Sequence, residues 1–470
     1  MSHCPPVGLC VTIPRMSGVW SRLAFLVREH QMKKPSIRPV LSVVAAACLL
    51  PAVHAQTTLQ SPPGGLGQSA AQPAGQAAGT PMTQSMGTPM TVDMSPAQAI
   101  SQPYSPVSSA ADQREGLQFR ARAGVERDDN VLRTNGGEIS DTITGLGVGL
   151  RYQKRLSQQE IVLDAEYDRY DFDELGTDYN TFNYAAAWRF RFGDRIDGTA
   201  SADRRQFRDV TSNGLAAAIN RRTERNELVE GGYRLGASWR VLAGLQHNKT
   251  RSTDPTAFES NLTQTSGRVG LAFEPATGST AAVRYRRGNG EYDNAPVVTD
   301  FDDNEIDVTA RWVLSPRTTV EGRLGWLERE HDAAPTRDFD GLVGSAAVSW
   351  AITAKTSLTA GYARELGSYL GGTGGHQESD RFFIGPVWRA TELITVSLRY
   401  DHENRRFEDV TGSADVGRED KFNVGTLGVE WAIRRTISLG AQYRIERRSS
   451  NLPAFDYRAN VIGLTAKLTI

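Results

Sequence analysis

The sequence predicts an all-β protein, a transmembrane antiparallel β-barrel of about 18 strands, preceded by a signal peptide and a disordered tether. Three observations predict it. From residue 115 to Ile470, apolar residues recur at every second position in runs of about 9–12 residues, the length of a tilted membrane-crossing strand. The connections between runs alternate between short and long. Trp gathers at one end of the runs and Tyr at the other, in the phase of the apolar face.

Composition narrows the class first. The chain has 470 residues, 53 Lys+Arg against 54 Asp+Glu, a formal net charge of -1 and a mean hydropathy of -0.41. A helical membrane protein needs about 20 consecutive apolar residues per span, and the one long apolar run lies near residues 40–50. No net positive charge is available to meet phosphates, so no nucleic-acid partner is expected. A hydrophobic content of 39% argues against a wholly disordered chain.

The N-terminus reads as an export signal. Met32 is followed by Lys33, Lys34 and Arg38, then by the apolar run Val40–Leu50, then by Pro51, Ala52, Val53, His54 and Ala55. These are the basic, apolar and small-residue parts of a secretory signal over 32–55, cleaved after Ala55 and used by the Sec pathway. Residues 1–31 have no place in it and read as a non-native extension from an over-called start. A lipoprotein reading of Cys48 fails, because Ala45 stands where Leu is usual and apolar residues continue past the cysteine. Cys4, Cys10 and Cys48 all precede the cleavage point, so the exported part has no disulfide, no thiolate nucleophile and no Cys-ligated metal. Residues 1–55 carry six basic and one acidic residue, which leaves 47 basic and 53 acidic residues and a net charge of -6 beyond them.

Residues 56–114 are Gln, Pro, Ala, Gly, Ser, Thr and Met with almost no charge. Such a segment cannot bury enough surface to offset its ordering entropy, so it reads as a disordered periplasmic tether. Met82, Met86, Met90 and Met94 recur every four residues, the soft ligands of Cu(I). The interspersed Gly and Pro forbid the helix that would align them, so composition drift is the preferred reading.

The barrel itself occupies 115–470. Leu117, Phe119, Ala121 and Val125 alternate with Gln118, Arg120, Arg122 and Glu126, and Ile462, Leu464, Ala466, Leu468 and Ile470 alternate with Gly463, Thr465, Lys467 and Thr469. Eight short turns, among them Lys154–Gln158, Leu235–Ser238 and Ile352–Lys355, alternate with nine long polar loops, among them Asp128–Asp141, Arg286–Asn304 and Asp401–Asp420. An outer-membrane barrel sorts its connections this way, with short periplasmic turns and long extracellular loops, whereas a soluble sandwich has no reason to. Trp188, Trp239, Trp312, Trp350, Trp388 and Trp431 lie beside short turns, and Tyr285, Tyr362, Tyr400 and Tyr443 precede long loops. They read as two aromatic girdles, one at each interface.

The opposite phase gives the candidate pore-lining residues: Arg120, Arg122, Arg189, Arg240, Arg268, Arg284, Arg311, Arg323 and Arg399, with Asp307, Glu321 and Glu430. A barrel this wide can hold an aqueous channel. Arginine rows could bind acidic groups of a cargo, since guanidinium pairs with carboxylate in a fork geometry. The competing reading, cross-strand ion pairs that stiffen the wall, is preferred because the acids are as numerous as the arginines.

No catalytic pattern is visible, and the chain is not expected to be an enzyme or to carry a cofactor or metal. His247, His331, His376 and His402 sit at strand ends or in loops, with no nucleophilic Ser in pattern. Asp300, Asp302 and Asn304 open like a calcium loop, but Glu305 stands where the turn Gly belongs. The chain is too short for a plug and the 22 strands of an energised transporter.

Residues 122–133, Arg-Ala-Gly-Val-Glu-Arg-Asp-Asp-Asn-Val-Leu-Arg, carry a D-N-hydrophobe-hydrophobe-R motif. Together with Trp before turns and the pairs Tyr285-Arg286 and Tyr443-Arg444, it resembles the Putative β-barrel porin 2 group, and within it the EpsL-type outer-membrane proteins of exopolysaccharide biosynthesis. The resemblance spans roughly 115–470. It implies a channel in the Gram-negative cell outer membrane that takes part in exopolysaccharide export. The partners it implies are a polysaccharide ligand and a periplasmic export component, besides lipopolysaccharide, membrane lipid and the barrel-assembly machinery. It carries no catalytic residues, and Ile470 departs from the usual terminal Phe. A general small-solute porin and a structural or adhesive surface barrel are the alternatives.

Overall fold

A computed structural model describes residues 115–209, 219–254, 261–293 and 300–470. The expected extension, signal peptide, cleavage point and tether lie outside these residues. The strands are Gly116–Asp128 (β1), Asp141–Leu156 (β2), Gln159–Phe172 (β3), Tyr179–Phe192 (β4), Ile196–Asp209 (β5), Asn220–Arg234 (β6), Trp239–Ser252 (β7), Leu262–Phe273 (β8) and Thr280–Tyr292 (β9). They continue with Phe301–Ser315 (β10), Thr318–Glu330 (β11), Phe339–Ala351 (β12), Thr356–Ser368 (β13), Gly374–Arg389 (β14), Ile394–Thr411 (β15), Glu419–Arg434 (β16), Ile437–Ser450 (β17) and Tyr457–Thr469 (β18).

Each strand pairs antiparallel with the next, and β1 pairs with both β2 and β18. Arg122 lies opposite Gly147 on one side and Lys467 on the other, so the sheet closes into an 18-stranded barrel with no free edge. The alternation sorts side chains by face. Leu117, Phe119, Val148, Val229, Leu245 and Leu464 stand exposed on the outer wall, while Asp164, Glu230, Arg240, Arg284 and Asp307 are buried inside. An apolar outside with a charged inside is the reverse of a soluble protein and fits a wall that faces lipid.

The eight turns fall where the sequence puts them, but the strands are longer than expected and take up much of the expected loops. They run from 12 residues in β8 to 18 in β15. The region 286–304 is mostly strand, since β9 reaches Tyr292 and β10 starts at Phe301. The region 401–420 is likewise covered by β15 to Thr411 and β16 from Glu419. Beyond the lipid both faces of a hairpin meet water, so the apolar alternation stops while the hydrogen-bond ladder continues. The acidic stretch around Asp303 is therefore strand, not a loop.

The girdles are mixed rather than sorted. The six turn-side Trp and the four loop-side Tyr are all exposed on the outer wall. Trp326, however, pairs with Ile306, which in turn faces Tyr285, so this Trp belongs to the loop-side ring. Tyr152 and Tyr233 stand at the turn side. Either ring presents one apolar and one polar edge, so either suits either interface. The loop-side Tyr hydroxyls each donate to a polar group on the next strand: Tyr285 to Asn304 at 2.9 Å, Tyr362 to Asp380 at 2.5 Å, Tyr400 to Asn423 at 2.8 Å and Tyr443 to Asn460 at 3.2 Å.

Candidate functional site

The inner wall is the chemically distinctive surface. All nine arginines singled out from the sequence lie on it, and each is ion-paired. Arg120 meets Asp164 at 2.6 Å, Arg122 meets Asp168 at 2.6 Å, Arg189 meets Glu160 at 2.9 Å and Arg240 meets Asp197 at 2.8 Å. Arg268 meets Glu230 at 2.5 Å, Arg284 meets Asp307 at 2.8 Å, Arg311 meets Glu321 at 3.0 Å and Arg399 meets Asp401 at 2.6 Å. Arg323 pairs with Glu305. Glu430 shares this face on β16, opposite Thr395 and Gly440.

The register explains how the pairs form. Arg122 on β1, Gly147 on β2 and Asp168 on β3 lie straight across three strands. Arg268 on β8, Gly244 on β7 and Glu230 on β6 do the same, as do Gln442 on β17, Gly463 on β18 and Glu126 on β1. In each case the long donor lies flat over the glycine to reach an acid two strands away. A Cβ at Gly147 would come within 2.1 Å of the Asp168 carboxylate. The nine arginines are thus held in fixed pairs, whereas Arg381, also buried on this face opposite Glu403, meets no acid within ion-pair distance among the described residues.

Toward the loop end the lumen narrows. The β4–β5 ladder stops at Tyr184 opposite Arg204, while the β5–β6 ladder continues to Asp209 opposite Asn220. The upper part of β5 leaves β4, and Arg208 reaches Asp128 on β1 at 3.0 Å, past three intervening strands. Such a contact requires that end of β5 to lean over the lumen. Asp128 also receives Arg133, whose guanidinium bridges to Glu446 on β17 at 2.6 Å. Arg133 takes a positive φ of 56°, which turns the β1–β2 loop inward. Asn130 fixes that loop, donating to the carbonyls of Thr134 and Arg458 at 2.9 and 3.0 Å. Val131 packs beneath with Ile143 and Phe172. The D-N-V-L-R motif is therefore a structural clasp across the seam between the first and last strands.

Sequence reading missed the clasp and a second charged group. Asp303, fully buried, accepts from Arg329 at 2.7 Å and from Gln264 at 2.8 Å. Arg418 is buried between Phe407 and Phe455 and pairs with Asp420 at 2.9 Å. Only an inward phase carried past the lipid belt could have signalled them. These four histidines do not converge: His247 contacts Thr265, His402 contacts Asn423, His331 packs tilted against Phe301, and His376 meets Phe339 edge to face.

Residues 259–470, which contain β8 to β18, match the family described as Putative beta-barrel porin 2. No curated protein matches the chain. Among solved structures, the outer membrane protein opdK from Pseudomonas aeruginosa is similar at a TM-score of 0.42 and 10% identity, covering 75% of this chain and 99% of that one. OccAB3 of Acinetobacter baumannii is similar at 0.42 and 10%, covering 75% and 98%.

Proposed function

We propose that this protein is an outer-membrane channel for a hydrophilic cargo, and that the cargo is an exopolysaccharide leaving the cell. One observation carries the channel reading: a closed barrel whose outer wall is apolar and whose inner wall is charged throughout its length. The match to Putative beta-barrel porin 2 over 259–470 supports the channel, and the exopolysaccharide role rests on the resemblance carried by the motif ending in Arg133. Because the nine arginines named above are each matched by an acid, they present little net field with which to select a polyanion. The reading therefore favours a neutral or weakly charged polymer hydrogen-bonding to fixed ion pairs over an acidic one held by arginine rows. A periplasmic export component would deliver it to the turn-side mouth.

The narrowing made by Arg208, Asp128 and Arg133 favours a second reading, a small-solute porin. Deletion separates the two. If the first holds, a deletion strain loses extracellular polysaccharide and regains it on complementation. Unchanged polysaccharide with slowed uptake of small solutes would favour the second.

A further inference from the structure

On the outer wall, three cations stand in one row across adjacent strands. Arg204 on β5 lies directly opposite Arg225 on β6, and Arg225 lies directly opposite Lys249 on β7. Directly opposed side chains have their Cβ atoms about 4.5–5.5 Å apart, and like charges there repel. Arg204 donates to the Phe182 carbonyl, but among the described residues Arg225 and Lys249 have no side-chain partner. Glu227, the next residue below Arg225 on this face, forms no ion pair with it.

Several other outer-wall cations are matched by acids. Arg287 faces Asp302 at 3.6 Å, Arg169 meets Asp171 at 2.7 Å, and Arg364 and Arg406 enclose Glu378 at 2.6 and 3.1 Å. Among the described residues two shorter cases lack an acid, Arg447 opposite Arg458, and Arg127, which meets only the Thr142 and Ser140 hydroxyls. A row of three unmatched cations is unfavourable unless an anion is to lie on it.

Its height says which anion. Val229 and Leu245 are partners on the same face and are 57% and 67% exposed, so they face the acyl chains. Arg225 and Lys249 lie four residues further toward the loops, about 13 Å along the strand and less along the membrane normal because strands tilt. That is the level of lipid headgroups.

We propose that Arg204, Arg225 and Lys249 bind the phosphate groups of an anionic glycolipid in the leaflet on the loop side. Guanidinium groups give forked bonds to phosphate, and the ammonium adds a point charge at the end of the row. The inference rests on the outer-membrane reading for the identity of that leaflet, but not on what the lumen carries.

The test uses the purified full chain in neutral detergent, titrated with a bisphosphorylated glycolipid, its dephosphorylated form and inorganic phosphate, with bound lipid read by native mass spectrometry. The phosphorylated lipid should bind at least about tenfold more tightly than the dephosphorylated one, the size of one lost charge-assisted contact. The R225Q/K249Q double variant should lose that preference, and Arg287→Gln should keep it. Equal binding of the two lipids by the unaltered protein overturns the proposal, and that comparison needs no variant to fold. So does a full preference kept by R225Q/K249Q. Inorganic phosphate displacing the lipid at equal concentration would make the row a free-anion site and overturn the lipid assignment. None of these outcomes depends on conductance or secretion.

Discussion

Asp303 shows what a single inner-wall residue does. Its carboxylate is fully buried and accepts from Arg329, while Arg286 lies 3.6 Å away and Arg329 stacks on Phe301 at 3.9 Å. Removing the acid leaves buried guanidinium without a counter-charge, which costs about 3–5 kcal/mol. Asp303→Ala should therefore lower the temperature at which the compact band is lost on semi-native gels, whereas Asp302→Ala on the exposed outer wall should leave it within experimental scatter. His331, in the β11–β12 loop, makes a separate prediction. Burial, and then the neighbouring Arg329 charge, hold its pKa below the usual 6.5. The fold thus favours neutral imidazole. Above pH 6.5 both states are neutral and nothing is lost; as pH falls below 6.5 the unfolded chain takes up a proton that the folded one refuses, so stability declines. Thermal unfolding between pH 7.5 and 5 should show this decline, and His331→Gln should flatten it. An equal decline in the variant would assign the effect to other groups.

At the scale of the strand, much was legible and the rest failed for a definite reason. The number of strands, the side of each turn and the inward phase of Arg120 through Arg399 all follow from period-two patterning, because lipid demands apolar residues on one face only. Strand ends were illegible where lipid stops: nothing in the composition of 286–304 distinguishes a polar strand from a polar loop. The arginine partners were illegible for another reason. Arg122 meets Asp168 only because Gly147 lies between them, and that is a property of register, which one sequence does not display. The register makes a prediction of its own. Gly147→Val places a branched side chain where the Asp168 carboxylate sits, 2.1 Å from the new Cβ. The Arg122–Asp168 pair must open, and overpacking of this kind costs about 1–3 kcal/mol. Gly425→Ala, whose Cβ would meet nothing within 4 Å, is the matched control and should be silent in the same thermal assay.

For the whole molecule, closure and facing matter more than any one pair. The β1–β18 seam joins the two ends of the barrel chain, and Arg133 bridges Asp128 and Glu446 across it. The loop end is narrowed by β5, while the charged inner wall runs to the turn side. Such a barrel should pass water and ions even if its cargo is larger. The most direct measurement is conductance of the purified protein in a planar lipid bilayer. The account predicts discrete current steps that scale with salt concentration and show only weak preference between cation and anion, because the inner charges are matched. A protein that inserts, shifts on semi-native gels as a folded barrel, and still gives no steps would contradict the channel reading. Steps with strong anion preference would contradict the matched wall.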